Sequence, residues 1–441
     1  MDMKKILVPI VLVAVLTGCA PVPAAQADTG EGYADTRCVE CHEEMVDDHA
    51  LSVHESITCL SCHPLAAMED HEEIDPVNCR RCHGLHDEKV INDAHSRVSC
   101  SACHIKGGVP MTDPESRSVI FSGRFRPGPL LPPHQAIGIG DKAQCKSCHF
   151  RGNPLGASSM ILPAKSILCM PCHVATFSIG DKITLVSLFI FLSGMVGLGA
   201  VWFSGSIRGE AGRSGKKFDV KSRFKPNTLF SAECFRLLKV WFAEVVLVQR
   251  LFRASPHRWG IHALIFFPFL FRFTFGLTAL LLSLFFPDGS LTAAMLDRNN
   301  AVRALFFDVT GLMILAGSMA AVARQEEDQT EKIVSLPGPG RGMPALIGLI
   351  VLVGFVLEGM RMAMTGWPGG SEWAFLGYGI SLLFKGMTGL TEGYGYVWYL
   401  HGILWGAFMA LIPFTRMSHI FIAPIVLFIR AKGQRKNCFR N

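Results

Sequence analysis

Apolar side chains are scarce and scattered between Asp28 and Lys182, where no run of them exceeds four residues, as in Leu65–Met68 and Ile167–Met170. That scarcity excludes an ordinary polypeptide core in this stretch unless something else fills it. Uncommitted cysteine is just as scarce: of fifteen, all but Cys19, Cys234 and Cys438 belong to a repeated motif. Basic residues are nearly missing from segments 287–300 and 365–395, which hold only Arg298 and Lys385. At 441 residues the chain is long enough for at least two parts of different character. Charge divides it the same way. Asp28 to Lys182 carries 21 acidic and 14 basic side chains, a balance of −7, whereas Ile183 to the end carries 14 and 26, a balance of +12.

The chain begins MDMKKILVPIVLVAVLTGCAPVPAAQADTG, with two lysines, an apolar stretch from Ile6 to Leu16 and then small residues. This is the pattern of an export signal, and it stands apart from the fold. LTGC at 16–19 resembles a bacterial lipobox with Cys19 as the lipidated residue, and AQA at 25–27 is an alternative cleavage site. The apolar run is short for an uncleaved membrane anchor. Asp28 onward is therefore expected outside the cytoplasm.

Twelve cysteines form six CxxCH units: Cys38/Cys41/His42, Cys59/Cys62/His63, Cys79/Cys82/His83, Cys100/Cys103/His104, Cys145/Cys148/His149 and Cys169/Cys172/His173. Paired cysteines in an exported chain also suit a disulfide scaffold or zinc sites. Neither needs a histidine directly after the second cysteine, six times in six. CxxCH attaches c-type haem through two thioethers, and its histidine reaches the iron from the proximal side. Six haem c groups are expected.

An iron that only passes electrons is usually closed on its distal face as well. Outside the motifs, Asp28 to Lys182 holds six further histidines, His49, His54, His71, His86, His95 and His134. The count matches without assigning pairs. Met45, Met68, Met111, Met160 and Met170 are substitutes, although methionine more often fills core. His54 and His95 each precede a haem-binding cysteine by five residues, in HESITC and HSRVSC. Cys38, His54 and Cys59 recur 41 residues later as Cys79, His95 and Cys100, so 38–63 and 79–104 read as two copies of a di-haem unit. A Pro/Gly-rich insert from Gly107 to Gly140 precedes the last two motifs. Stacked porphyrins then supply the missing core, wrapped by short helices and loops. In motif arrangement this segment resembles the small multihaem cytochromes c of the class III and c7 type.

Five apolar stretches follow, at roughly 183–205, 259–286, 301–323, 343–364 and 396–429. Each is long enough for a bilayer core, which needs about 20 helical residues. The loop Ser206–Arg258 carries twelve basic residues and the tail after Ile429 five. Basic loops stay inside, which puts the haem domain in the periplasm and the C-terminus in the cytoplasm. On the fifth helix, the 18-residue separation of His401 and His419 makes five turns and about 27 Å of rise, so both lie on one face near opposite membrane surfaces. Ionisable groups inside a bilayer are costly and usually functional, and these suit haem b. Their partners must come from another helix. His262, at the start of the second stretch, matches His419, with His257 at the boundary as a surface residue. The first, third and fourth stretches contain no histidine at all.

RWGIHALIFFPF and YLHGILWGAFMALIPFTRMSHIFIAP resemble the cytochrome b family that contains the nitrate reductase gamma subunit and the membrane subunits of heterodisulfide reductase and of the sulfite-reductase-linked complex of sulfate reducers. The resemblance covers about 183–430. It implies a five-helix bundle with two bis-histidine b haems, exchange with menaquinone and a cytoplasmic iron–sulfur partner. The nitrate reductase gamma subunit has a second histidine on helix two, about three turns after the first. Arg272 stands there in this chain, so one or two b haems are expected, and Arg272 can instead pair with a haem propionate. Asp308 and Glu358 are candidates to accept quinol protons or to pair with Arg303 and Arg361.

The whole reads as a mainly α protein: signal 1–27, hexahaem periplasmic domain 28–182, five-helix membrane cytochrome b domain 183–430 and cytoplasmic tail 431–441. The expected role is a bacterial inner-membrane electron-transfer subunit of a quinol:cytochrome c-type oxidoreductase complex. It joins c haems to menaquinone or an iron–sulfur subunit, with a periplasmic cytochrome c or a hydrogenase as outer partner and no link to nucleic acid. The basic segment FRLLKVWFAEVVLVQRLFR fits partner docking or a lipid surface. The competing reading is a multihaem terminal reductase of a small periplasmic substrate, which requires an open haem face.

Overall fold

The computed structural model describes residues 38–40, 42–64, 77–83, 95–106, 109–115, 117–122, 135–138, 144–204, 239, 241–287, 289–327 and 342–433. The export signal with Cys19, and also Cys41, Met68, His71, His86, His134, Cys234 and Cys438, lie outside the described residues. The fold is mainly helical. The described residues fall into two compact units, one within 1–83, 103–109 and 122–140, the other within 84–102, 110–121 and 141–441.

In the first unit, α1 (Glu43–Ala50) and α2 (Cys59–Cys62) are short helices joined by turns. Among its described residues, burial of apolar side chains is confined to Ala136. Hydrogen bonds do the anchoring. Buried Ser52 accepts from the backbone N–H of Ala136 at 3.2 Å and of His54 at 3.1 Å, and the N–H of Val53 donates to the Ala136 carbonyl at 2.9 Å. The loop that carries His54 is thus pinned to a distant strand of chain without a hydrophobic core.

The fourth motif forms α3 (Cys100–His104). β1 (Val109–Thr112) and β2 (Val119–Ser122) make a two-stranded sheet. In the second unit, Ser99 N–H donates to the Val119 carbonyl at 2.9 Å and Val119 N–H to that of Arg97 at 2.7 Å. Arg97 in turn pairs with Asp297 at 2.9 Å, which ties the segment beginning at His95 to the helices.

Those helices are α4 (Lys182–Ser204), α5 (Gln249–Ala254), α6 (Pro256–Phe285), α7 (Ser290–Leu296), α8 (Ala301–Glu327), α9 (Gly342–Met364), α10 (Phe375–Leu383), α11 (Leu390–Leu411) and α12 (His419–Gly433). Five of them, α4, α6, α8, α9 and α11, are long and apolar enough to cross a membrane. Phe189, Val196, Phe285 and Val302 stand more than 70% exposed on these helices, an apolar outer surface that requires lipid. The chain is a multi-pass membrane protein. Glycine lets the helices close up. A Cβ at Gly317 on α8 would come within 2.8 Å of Leu264 on α6, the small-residue contact typical of membrane bundles. α9 is the most buried of the five, and its Ile347, Ile350 and Phe355 pack with Ile314, Trp405 and Phe408.

Ser255 starts α6 by accepting from the N–H of Arg258 at 3.3 Å, with Pro256 in the first turn where its missing N–H costs nothing. Before it, Phe242–Val246 forms a π-helical turn and α5 follows, with Arg250 and Glu244 paired at 2.9 Å. The indole N–H of Trp259 donates to the Leu247 carbonyl at 3.0 Å, which fastens this segment to α6.

The fifth apolar stretch is not one helix. It breaks after Leu411 into two short turns, Ile412–Phe414 and Arg416–Ser418, before α12 begins at His419. Pro413 has no N–H to continue the ladder, and Thr415 is extended, with its hydroxyl accepting from the N–H of Met417 at 3.4 Å. The expectation that His401 and His419 share a face across five regular turns is therefore corrected. They sit on separate helices, oriented independently.

Candidate functional site

Each CxxCH motif closes on itself in the same way. The histidine N–H donates to the carbonyl of the first cysteine, at 2.9 Å for His42, His63, His149 and His173 and at 3.0 Å for His83. The fourth motif is a helical turn outright. One such turn puts residues i, i+3 and i+4 on one side. In the five motifs with both cysteines among the described residues, the cysteines and the histidine therefore share one side of a turn, as a single porphyrin would need.

Hydrogen bonds then set several imidazoles. His104 Nδ1 lies 3.1 Å from the Ile137 carbonyl, His149 Nδ1 2.7 Å from that of Ser158, and His419 Nδ1 2.7 Å from that of Arg416. A carbonyl only accepts, so Nδ1 carries the proton and Nε2 presents its lone pair, as in a metal-ligating histidine. The break before α12 supplies the carbonyl that orients His419.

An iron between two imidazoles, at roughly 2 Å from each nitrogen as for other first-row metals, sets the ring centroids about 6 Å apart. His95 and His149 stand 6.1 Å apart, His173 and His401 6.0 Å, and His262 and His419 6.3 Å. His54 and His83 are closer, at 5.5 Å, with Nε2 atoms facing at 3.3 Å. His54, His95 and His401, none in a motif, each face a motif histidine, and His262 and His419 join α6 to the start of α12. The buried Nδ1 of His262 has no hydrogen-bond partner among the described residues, whereas His401 has a backbone hydrogen bond to Ile350. The spacing of these imidazole pairs is what a bis-histidine haem would need.

The thiols of Cys145, Cys148, Cys169 and Cys172 are not joined in disulfides. Burial raises the pKa of Cys62, Cys148 and Cys169, and pushes that of Cys172 up to about 12. The motif cysteines differ in how much protein covers them. Cys172 is buried, Cys103 on α3 is half-buried and Cys82 is exposed. Cys82 follows the 3-10 turn Cys79–Arg81. Among the described residues, no cluster of three or more His, Cys, Asp or Glu side chains is arranged to hold a metal ion. His54 is held below the usual histidine range, by burial first and then by His83, His49 and His104.

His49 lies in the last turn of α1. Of the methionines, Met170 is buried core and Met111 stands exposed on β1. His257 accepts from Arg324 at 2.6 Å on the exposed surface. Arg272 is buried. Its Nε donates to the Thr310 hydroxyl at 2.7 Å, a terminal nitrogen donates to the Phe307 carbonyl, and the guanidinium lies 5.0 Å from the centre of the Phe307 ring. Glu358 pairs with Arg361 at 2.7 Å. Asp308 accepts from the backbone N–H groups of Leu376 at 2.8 Å and Gly377 at 3.3 Å.

A model of the prokaryotic membrane lipoprotein lipid attachment site matches residues 3–20, which contain the LTGC sequence and Cys19. No curated protein matches the chain, and no solved structure does.

Proposed function

We propose that this protein is an electron conduit of the bacterial inner membrane, carrying six c haems on its CxxCH motifs and haem b between His262 and His419. The observation that carries the reading is the pairing of motif histidines with non-motif histidines at the spacing of bis-histidine iron. Haem, when bound, supplies one-electron redox chemistry. The chain supplies the rest: cysteine pairs that fix each porphyrin, carbonyls that orient imidazoles, and helices that hold two histidines within lipid. Closed ligation on both faces favours conduction over reduction of a small substrate, which needs an open iron. The haem domain is assigned to the periplasm, where a cytochrome c or a hydrogenase meets it. Menaquinone or a cytoplasmic iron–sulfur subunit stands at the other end. The resemblance of the bundle to the family of the nitrate reductase gamma subunit and the heterodisulfide reductase membrane subunit supports this last assignment.

Peroxidase staining of a denaturing gel tests it, since covalent haem survives denaturation. Cells with c-type maturation should give a stained band whose pyridine haemochrome yields six c haems per chain. An unstained band refutes the proposal.

A further inference from the structure

His401 has no partner of the expected kind. α4, α8 and α9 contain no histidine. On α6, His262 faces His419 and His257 is bonded to Arg324. Arg272, at the position where a second helix-two ligand is expected, spends its donors on Thr310 and Phe307. What faces His401 instead is His173, with ring centroids 6.0 Å apart and planes at 71°.

The sixth motif is built into the bundle and not merely close to it. Cys172 is buried among Ile350, Phe355 and Trp405, and Val174 and Ala175 are 0% exposed. A Cβ at Gly276 on α6 would stand 3.0 Å from the His173 carbonyl and 3.3 Å from Met170 Cγ, so the motif rests on helix backbone one turn beyond Arg272. Gly354 on α9 likewise leaves room, since a Cβ there would stand 3.5 Å from Cε1 of His401. On the α9 side, a backbone hydrogen bond to Ile350 holds the His401 ring.

We propose that His401 is the distal ligand of the haem attached to Cys169 and Cys172, opposite His173, so that the membrane bundle holds one b haem and borrows a c haem in place of a second. This rests on the covalent-haem reading above. The sixth c haem is thereby drawn among the membrane helices, where a second b haem would otherwise be needed to bridge the outer haems and His262/His419. His401 adds a ligand from outside the haem segment. With His54, His95 and His401 facing the third, fifth and sixth motifs, His49, His71, His86 and His134 remain for three irons, and one of the four ligates none.

The test compares the full-length holoprotein with His401→Gly, in detergent, by acid–acetone extraction, pyridine haemochrome and low-temperature EPR. Wild type should yield one extractable haem b per six covalent haems. His401→Gly should keep both numbers while one of its six c haems turns high-spin, and added imidazole should return it to low-spin. Two extractable haems in wild type, or an extractable haem lost from the variant with every c haem still low-spin, overturns the proposal and leaves the conduit reading standing. Absence of covalent haem overturns both. Should the variant fail to accumulate, the wild-type count decides alone: one haem supports the assignment and two refute it.

Discussion

A histidine serves iron only when its proton sits on the far nitrogen, and at His104, His149 and His419 a backbone carbonyl fixes that choice. Not one of these carbonyls is marked in the sequence, because any residue type can offer one. The motif cysteines and histidines are legible for the opposite reason, since their chemistry depends on identity and adjacent spacing. Gly276 illustrates the residues in between. Nothing in the pattern of α6 marks it, yet it is where the sixth motif touches helix backbone. Gly276→Val should destabilise the protein by about 1 to 3 kcal/mol, the usual cost of overpacking. The midpoint of thermal unfolding in detergent should fall accordingly, while a valine at the open position Gly197 should leave it unchanged.

At the scale of elements, apolar length alone located four of the long helices to within a few residues. The fifth stretch misled because Pro413, Thr415 and Ser418 lie inside an otherwise apolar run, and their effect on the ladder is stronger than hydropathy reveals. The turn they make delivers His419 to His262, since the Arg416 carbonyl that orients His419 belongs to it. His419→Ala should abolish the extractable b haem and leave the covalent haem content at its wild-type value. An unchanged b-type absorption in that variant would remove His419 from the site. The pairing of His173 with His401 was beyond sequence reasoning, because it joins a short turn to a helix far along the chain and no spacing rule connects them. The absence of histidine from three helices was the one visible hint.

For the molecule as a whole, the scarcity of apolar residues before Lys182 and their excess after it describe two ways of filling space. In one, backbone hydrogen bonds stand in for an apolar core, and the proposed haems would fill the rest; in the other, lipid surrounds helices packed through glycine. The sixth motif belongs to the same compact unit as the membrane helices. Three imidazole pairs lie in this unit, His95/His149, His173/His401 and His262/His419. The most direct measurement of conduction uses right-side-out membrane vesicles containing the protein, with a membrane-impermeant reductant added outside and absorption followed at the c and b bands. The b haem should be reduced together with the c haems, and His401→Gly should slow the b band at least tenfold while leaving early c reduction unchanged. Full reduction of the c haems with the b haem still oxidised would contradict a through-membrane conduit.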